Sequence, residues 1–180
     1  AGLGRCNSLV VFVDYSAHGD SLLVEITEQR KNLAFAKIVE ILEPSPFRVK
    51  PPCRHFIVCG GCSWQHLSQA SQLEQKNSLI QDSLIEVFKT HPAEILPVIP
   101  SPKSYNYRNR IQMTADLGKW HFRKKHSADL VSVKTCFLVE EPVLALVENP
   151  PPKLLDKTRY DLRLQQDGKV LITPLQEETE

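Results

Sequence analysis

Three short apolar segments near the start of the chain predict β-strands. Residues 9–13 read Leu-Val-Val-Phe-Val, and residues 21–27 and 33–42 are similarly rich in aliphatic side chains. Periodicity alone would also allow a helix over residues 33–42. Strands at this close spacing are typical of a small barrel or a barrel fragment. Four prolines in residues 44–52 then predict a break in regular structure.

The apolar positions change period in the middle of the chain. Residues 68–88 repeat apolar side chains near helical spacing, with polar side chains between them, and predict one long helix. Residues 110–117, 119–123 and 130–133 alternate well enough to predict a β-meander, with a turn at Gly118.

Two further elements are expected toward the end of the chain. Residues 138–147 predict a short helix. Residues 161–164 and 169–173 predict a hairpin, because Gln166-Asp167-Gly168 between them favours a turn. Strands and helices are therefore both expected, and they follow one another in separate groups.

The average charge of the chain hides a strong asymmetry. The 180 residues have a formal net charge of +1, which by itself argues against nucleic-acid binding. Residues 101–136, however, carry eight basic and two acidic side chains, whereas residues 137–180 carry five and nine. A basic segment of this kind is a better guide to a partner than the total charge. No apolar run is long enough to span a membrane, so we expect no membrane association and a cytoplasmic location.

Four of the five cysteines form a candidate metal site. Cys53, Cys59 and Cys62 have the spacing C-x5-C-x2-C, and Cys136 follows in the basic segment. Four thiolates are able to hold a zinc ion or an iron–sulfur cluster. Two C-x2-C pairs would be more typical of zinc, so the spacing favours a [4Fe–4S] cluster. Zinc and unligated thiols remain open, and Cys6 is expected to be a small core residue.

Four segments form a distinctive combination. They are residues 45–53 (Ser-Pro-Phe-Arg-Val-Lys-Pro-Pro-Cys), 59–67 (Cys-Gly-Gly-Cys-Ser-Trp-Gln-His-Leu), 72–76 (Gln-Leu-Glu-Gln-Lys) and 107–110 (Tyr-Arg-Asn-Arg). Together they resemble the RumA/TrmA family of S-adenosylmethionine-dependent RNA (uracil-C5)-methyltransferases. The resemblance covers nearly the whole chain, and its cysteines resemble the RumA branch, which acts on 23S ribosomal RNA.

The resemblance implies a fold class and a division into domains. The expected class is α+β: a small OB-like β-barrel of the TRAM type over residues 1–48, followed by an α+β domain over residues 49–180. The first barrel strand is expected to lie before Ala1. The second domain would contact RNA and hold the [4Fe–4S] cluster on four ligands, Cys53, Cys59, Cys62 and Cys136.

The resemblance also implies what this chain would lack. In the family, a Rossmann-like methyltransferase domain binds S-adenosylmethionine through a glycine-rich loop and supplies a nucleophilic cysteine and a base. The seven glycines of this chain leave no glycine-rich turn between a strand and a helix. We therefore expect that domain to be absent, with no catalytic residue here and no methyl transfer by this chain alone. The expected partners are RNA, ribosomal rather than transfer, and the C-terminal methyltransferase domain of the same protein, in a monomer.

The basic segment supplies all but one of the candidate RNA contacts, and the exception is Gln65 after the cysteine loop. Lysine and arginine neutralise phosphates, and aromatic or guanidinium planes stack on unpaired bases. One of Trp120 and Phe122 is expected to face the core, and residues 123–126 could be only a solvated turn. Two alternatives stay open: a stand-alone iron–sulfur RNA-binding module, and a structural zinc protein without a nucleic-acid role. The candidate contacts are Gln65, Arg108, Arg110, Trp120, His121, Arg123, Lys124, Lys125 and Lys134.

Overall fold

The computed structural model describes residues 1–90 and 93–175 of the chain. They form two compact units. Unit 1 contains residues 1–51 and 64–100, and unit 2 contains residues 52–63 and the chain from residue 101 onward. The division into domains at residue 48 stays a prediction. No helix among the described residues is long and apolar enough to cross a membrane.

Unit 1 is built on a four-stranded mixed sheet. Its strand order is β1-β2-β4-β3, in which β2 and β4 run parallel and the other pairs are antiparallel. Val11, Val13 and Ala36 form its small buried core. The strands are β1 (Gly2–Cys6), β2 (Leu9–Val13), β3 (Ser21–Gln29) and β4 (Leu33–Glu43).

Strand β1 was not expected from the sequence. Its glycines and its arginine give no β-strand pattern, but β2 supplies an edge to pair with. The turn that joins them has positive φ at Asn7 (45°) and Ser8 (71°), as a tight two-residue hairpin requires. Among the described residues the edge strands β1 and β3 are not paired with each other, so the sheet is open. The predicted OB-like barrel is therefore wrong for this unit.

A buried ion pair fixes the segment that follows β4. The Asp20 side chain is 1% exposed and the Arg48 side chain 15%, and Arg48 Nη2 lies 2.6 Å from Asp20 Oδ2. Arg48 Nε donates to Asp20 Oδ1 at 2.7 Å, and the Ser45 amide donates to the same oxygen at 2.9 Å. Burial alone would raise the pKa of Asp20, but the hydrogen bonds from Arg48, Ala17 and Ser45 outweigh it and lower the pKa.

The predicted long helix is present in unit 1 as α1 (Gln69–Thr90). Ser68 precedes it and caps its first turn, because the Ser71 amide donates to Ser68 Oγ at 3.2 Å. The Gln72 side-chain amide donates to the carbonyls of Trp64 and Leu67, both at 3.1 Å. These bonds tie the start of the helix to the loop before it.

Unit 2 is a five-stranded antiparallel sheet covered by a short helix. The strand order is β7-β6-β5-β8-β9. Every predicted element of this region is present, although β8 begins three residues before the predicted start. The elements are β5 (Arg110–Asp116), β6 (Lys119–Arg123), β7 (Leu130–Ser132), α2 (Glu141–Glu148), β8 (Thr158–Leu164) and β9 (Val170–Leu175).

The two faces of this sheet differ in chemistry. Ile111, Met113 and Ala115 of β5 are buried in one core with Val143 and Val147 of α2. Because side chains alternate along a strand, the residues between them project from the opposite face. That open face is polar and carries the candidate site.

Candidate nucleic-acid interface

A groove of about 540 Å³ runs along the open face of the unit 2 sheet. It is open to solvent on one side and contains basic, polar and aromatic side chains. No acidic side chain lines it among the described residues. The lining residues are Gly60, Gly61, Gln112, Thr114, His121, Phe122, Arg123, Lys124, Lys125, His126, Ser127 and Arg159.

Strand pairing brings side chains from β5, β6 and β8 together in this groove. Thr114 lies opposite His121 on one side and opposite Arg159 on the other. Arg159 Nη2 donates to Gln112 Oε1 at 2.6 Å, which orients the guanidinium group. Lys124 lies 3.5 Å from Asp129, but both side chains are exposed, so this ion pair contributes little.

The cysteine loop forms one wall of the groove. The Gly60 amide donates to the Arg123 carbonyl at 3.0 Å, and Cys59 forms a β-bridge with Lys124. A Cβ atom at Gly60 would lie 3.1 Å from the Arg123 carbonyl oxygen, tighter than most such contacts. Glycine is thus needed there because two backbones approach closely.

The four predicted metal ligands gather in unit 2. Burial raises the pKa of the Cys59 thiol, and the nearby thiols of Cys62, Cys136 and Cys53 raise it further. Burial likewise raises the pKa of Cys136, with additional effects from Cys62 and Cys53. All five cysteines are free of disulfide bonds.

The chemistry of the residues around these thiols suits a metal group bound through sulfur. Their arrangement, however, does not suit a single metal ion. The Gly61 amide lies 3.5 Å from Cys59 Sγ, and His55 Nε2 is buried without a hydrogen-bond partner in the described chain. Over residues 1–90 and 93–175, however, no group of three or more His, Cys, Asp or Glu side chains is placed to hold a metal ion. A single zinc ion would need sulfurs about 3.8 Å apart, given Zn–S bonds of about 2.3 Å.

Only part of the predicted RNA-binding set lies in the groove. His121, Arg123, Lys124 and Lys125 line it. Arg110 lies in β5 on the same face, where its Nε is 2.6 Å from Asp161 Oδ1.

The remaining predicted contacts lie elsewhere. Arg108 and Lys134 are exposed but do not line the groove. Gln65 is 8% exposed and belongs to unit 1. Trp120 is 1% exposed on the core side of the sheet, where its Nε1 donates to the Leu146 carbonyl at 2.8 Å. Trp120 is therefore not available for stacking on a base.

Among the groove residues that were missed, Gln112 and Thr114 are uncharged side chains within the basic segment, and Arg159 is distant from that segment in sequence. Gln112 and Thr114 alternate with the buried residues of β5, and Arg159 alternates with Tyr160 and Leu162 of β8. The alternation in each strand is readable from the sequence. The pairing of β5 with β8, which joins the two sets, is not.

Comparisons with known proteins identify the relatives of this chain. It is 35% identical over 177 residues to an uncharacterized RNA methyltransferase of Bdellovibrio bacteriovorus, covering 94% of this chain and 44% of that protein. It is 33% identical over 153 residues to the 23S rRNA (uracil(1939)-C(5))-methyltransferase RlmD of Shewanella halifaxensis, covering 82% and 34%. No model of a protein family matches the chain. The homologues of this chain are RNA methyltransferases.

A solved methyltransferase structure shares the fold. The crystal structure of Pyrococcus abyssi tRNA (uracil-54, C5)-methyltransferase in complex with S-adenosyl-L-homocysteine matches with a TM-score of 0.64 and 26% identity. The match covers 94% of this chain and 42% of that one. The chain spans less than half the length of each of these three methyltransferases.

This likeness corrects the predicted fold class. A methyltransferase-like fold is present, with a mixed and an antiparallel sheet and few helices. The predicted α+β class, an OB-like barrel plus a four-cysteine domain without a methyltransferase fold, is wrong. The expected absence of a methyltransferase fold relied on the lack of a glycine-rich turn, whereas the likeness is one of the backbone over 94% of the chain, which a search for that turn does not detect.

Proposed function

We propose that this chain is an RNA-binding part of an S-adenosylmethionine-dependent RNA (uracil-C5)-methyltransferase of the RumA/TrmA family. The groove on the open face of the unit 2 sheet is the observation that carries the proposal. Basic side chains from β6, from the turn after it and from β8 line this groove. Among the described residues, no acidic side chain lines it. Such a surface binds a phosphate backbone by displacing counterions.

Ribosomal RNA is the proposed substrate. The protein is proposed to act in the cytoplasm and as a monomer. The RlmD relative, which is 33% identical over 82% of this chain, methylates 23S rRNA by its name, and this supports a ribosomal target. The tRNA methyltransferase is more distant, at 26% identity. S-adenosylmethionine is the methyl donor, in line with the S-adenosyl-L-homocysteine bound to that structural neighbour.

The contribution of this chain to the reaction is to hold and orient RNA. Cations at Arg123, Lys124 and Arg159 would contact phosphates, and His121 offers a ring for an unpaired base. The chain spans 34–44% of the length of its two relatives named above, and we propose that it transfers no methyl group alone. Transfer of a labelled methyl group to RNA by the purified chain would contradict this.

Removing groove cations should weaken RNA binding and lower its salt dependence. For Arg159→Gln and Lys124→Gln we expect a loss of affinity of about tenfold each. The slope of log K against log salt should fall by about one for each lost phosphate contact. Binding of a single-stranded oligoribonucleotide, measured by fluorescence anisotropy over a salt series, tests this.

Lys169→Gln is the matched control for the groove variants. Lys169 lies in the same unit, 82% exposed in the turn between β8 and β9, and does not line the groove. Its removal should leave both affinity and salt slope unchanged. If the control and the groove variants behave alike, the groove is not the RNA-binding surface.

A [4Fe–4S] cluster on Cys53, Cys59, Cys62 and Cys136 is also proposed. The neighbouring thiols raise the pKa values of Cys59 and Cys136, and this supports it, because such an effect requires the four thiols to lie near one another. A cluster binds each thiolate at a different iron atom, so it needs a wider spread of sulfurs than a single zinc ion does. When bound, the cluster would link the cysteine loop to the segment around Cys136.

Metal analysis separates the cluster from zinc. Anaerobically purified protein should contain about four iron and four acid-labile sulfide per chain, as expected for a [4Fe–4S] centre. Cys59→Ser should lose both, whereas Cys6→Ser, which changes a cysteine of unit 1, should retain both. Equimolar zinc without sulfide would reject the cluster.

A further inference from the structure

A short segment just before β5 lies alongside the segment that carries Cys136. The Asn106 amide donates to the Phe137 carbonyl at 2.9 Å. The Arg108 amide donates to the Leu138 carbonyl at 2.8 Å. All of these residues belong to unit 2. Their backbone hydrogen bonds hold the first segment beside the fourth cysteine of the candidate metal site.

Tyr105 begins this segment, and its side chain lies close to the cysteine site. The ring centroids of Tyr105 and Phe137 are 6.2 Å apart and the ring planes are inclined by 70°, which is an edge-to-face contact. Phe137 directly follows the fourth cysteine in the sequence. Burial raises the pKa of the Tyr105 hydroxyl, and the nearby thiols of Cys62 and Cys53 raise it further. The ring contact and the influence of these thiols both place Tyr105 at the edge of the site.

Sulfur atoms of this site already receive hydrogen bonds from the backbone. The Gly61 amide donates to Cys59 Sγ at 3.5 Å. Burial raises the pKa of the Cys136 thiol, and a hydrogen bond from the backbone of Leu138 opposes that effect. Tyr105 adds a side-chain hydroxyl group close to the other two cysteines. Groups that donate to the sulfur atoms around a metal centre orient its ligands and tune its chemistry.

We propose that the Tyr105 hydroxyl donates a hydrogen bond to a sulfur atom of the metal group held by the four cysteines. This inference rests on the proposed [4Fe–4S] cluster, and it makes Tyr105 a positioning residue rather than a ligand. A phenol hydroxyl is able to donate to sulfur. Hydrogen bonds to the sulfur atoms of a cluster are one of the factors that set its reduction potential. Such a bond stabilises the reduced state more than the oxidised state, because the reduced state carries more negative charge.

The test is the reduction potential of the cluster in Tyr105→Phe, which keeps the aromatic ring and loses only the hydroxyl group. At a fixed potential, the ratio of reduced to oxidised cluster should fall by about 2- to 10-fold, the range expected for one hydrogen bond. An anaerobic redox titration followed by electron paramagnetic resonance measures this ratio. Iron and sulfide content should equal that of the wild type, because no ligand is removed.

A second measurement separates the hydrogen bond from packing of the ring. The iron–sulfur stretching bands in the resonance Raman spectrum should shift when wild-type protein is moved into heavy water, because the donated hydrogen exchanges. Tyr105→Phe should lose part of that shift. If Tyr105 only packs against Phe137, the phenylalanine variant would change neither the potential nor the isotope shift.

Tyr107→Phe is the matched control, because it removes a hydroxyl group from the same segment at a side chain that is 46% exposed. Its potential and isotope shift should equal those of the wild type. Equal changes in the Tyr105 and Tyr107 variants would overturn the inference. So would an unchanged Tyr105→Phe with full iron and sulfide, and in that case the proposed cluster would stand. Wild-type protein without iron and sulfide would refute the cluster itself, and the inference with it.

Discussion

Replacing Asp20 by alanine is expected to lower the free energy of unfolding by about 3–5 kcal/mol. Asp20 is 1% exposed and is the ionic partner of Arg48, so its loss leaves a largely buried guanidinium group without its counter-charge. The Ala17 and Ser45 amides also lose the oxygens to which they donate. Urea unfolding followed by circular dichroism would show a lower midpoint with an unchanged slope.

Two comparisons isolate the role of the buried charge. Asp20→Asn keeps an acceptor oxygen but no charge, and it should fall between the wild type and Asp20→Ala. Glu25→Ala breaks the Lys37–Glu25 pair, whose side chains are 61% and 58% exposed. That change should alter stability by less than about 1 kcal/mol. Equal effects of Asp20→Ala and Glu25→Ala would refute a special contribution of the buried pair.

The same carboxylate makes stability depend on pH in the acid range. The folded-state pKa of Asp20 lies below its unfolded-state value, because the hydrogen bonds from Arg48 and two amides outweigh the effect of burial. Its contribution is therefore fully present above the unfolded pKa of about 4. It is lost as the pH falls from there through the folded pKa. Asp20→Asn should flatten this part of the stability profile.

Replacing Trp120 by alanine should destabilise unit 2 by about 3–5 kcal/mol. Trp120 is 1% exposed and packs edge-to-face against Tyr160, with centroids 5.8 Å apart. Its Nε1 also donates to the Leu146 carbonyl in α2. Trp120→Phe keeps most of the packing and loses the hydrogen bond, so about 1 kcal/mol is expected. Chemical denaturation of the variants measures these differences.

The Trp120 variants also separate the core side of the sheet from the groove side. Leu117→Ala, at a residue that is 79% exposed, should change stability by less than about 0.5 kcal/mol. Trp120→Phe should leave RNA affinity and its salt slope unchanged, because the side chain lies behind the sheet. A loss of RNA affinity in Trp120→Phe without a loss of stability would contradict this placement.

The elements of the fold were largely predictable because their signals are local. The segment at residues 9–13 is present with those bounds, and α1 begins and ends within two residues of the predicted range. Strand β1 was missed because its stability comes from its partner β2 rather than from its own side chains. The alternation in residues 110–117 predicted the strand β5, but no local signal distinguished an open mixed sheet from a barrel.

The candidate site was predictable only in part. The basic segment around Arg123–Lys125 was found because its charge is concentrated in sequence. Gln112 and Arg159 were not, because they reach the groove through the pairing of β5 with β8. Trp120 looked like an interface residue because it lies within the basic segment. Its burial is decided by which face of β6 meets α2.

The sequence by itself determined the local structure and the clustering of positive charge, because each follows from residues close together along the chain. The tertiary structure alone decided which of these features meet. Long-range pairing put Arg159 beside the basic turn, brought the cysteine loop against β6 through Gly60 and placed Tyr105 against Phe137. These contacts join distant segments through backbone hydrogen bonds, which every residue except proline can donate and which therefore leave little trace in the sequence.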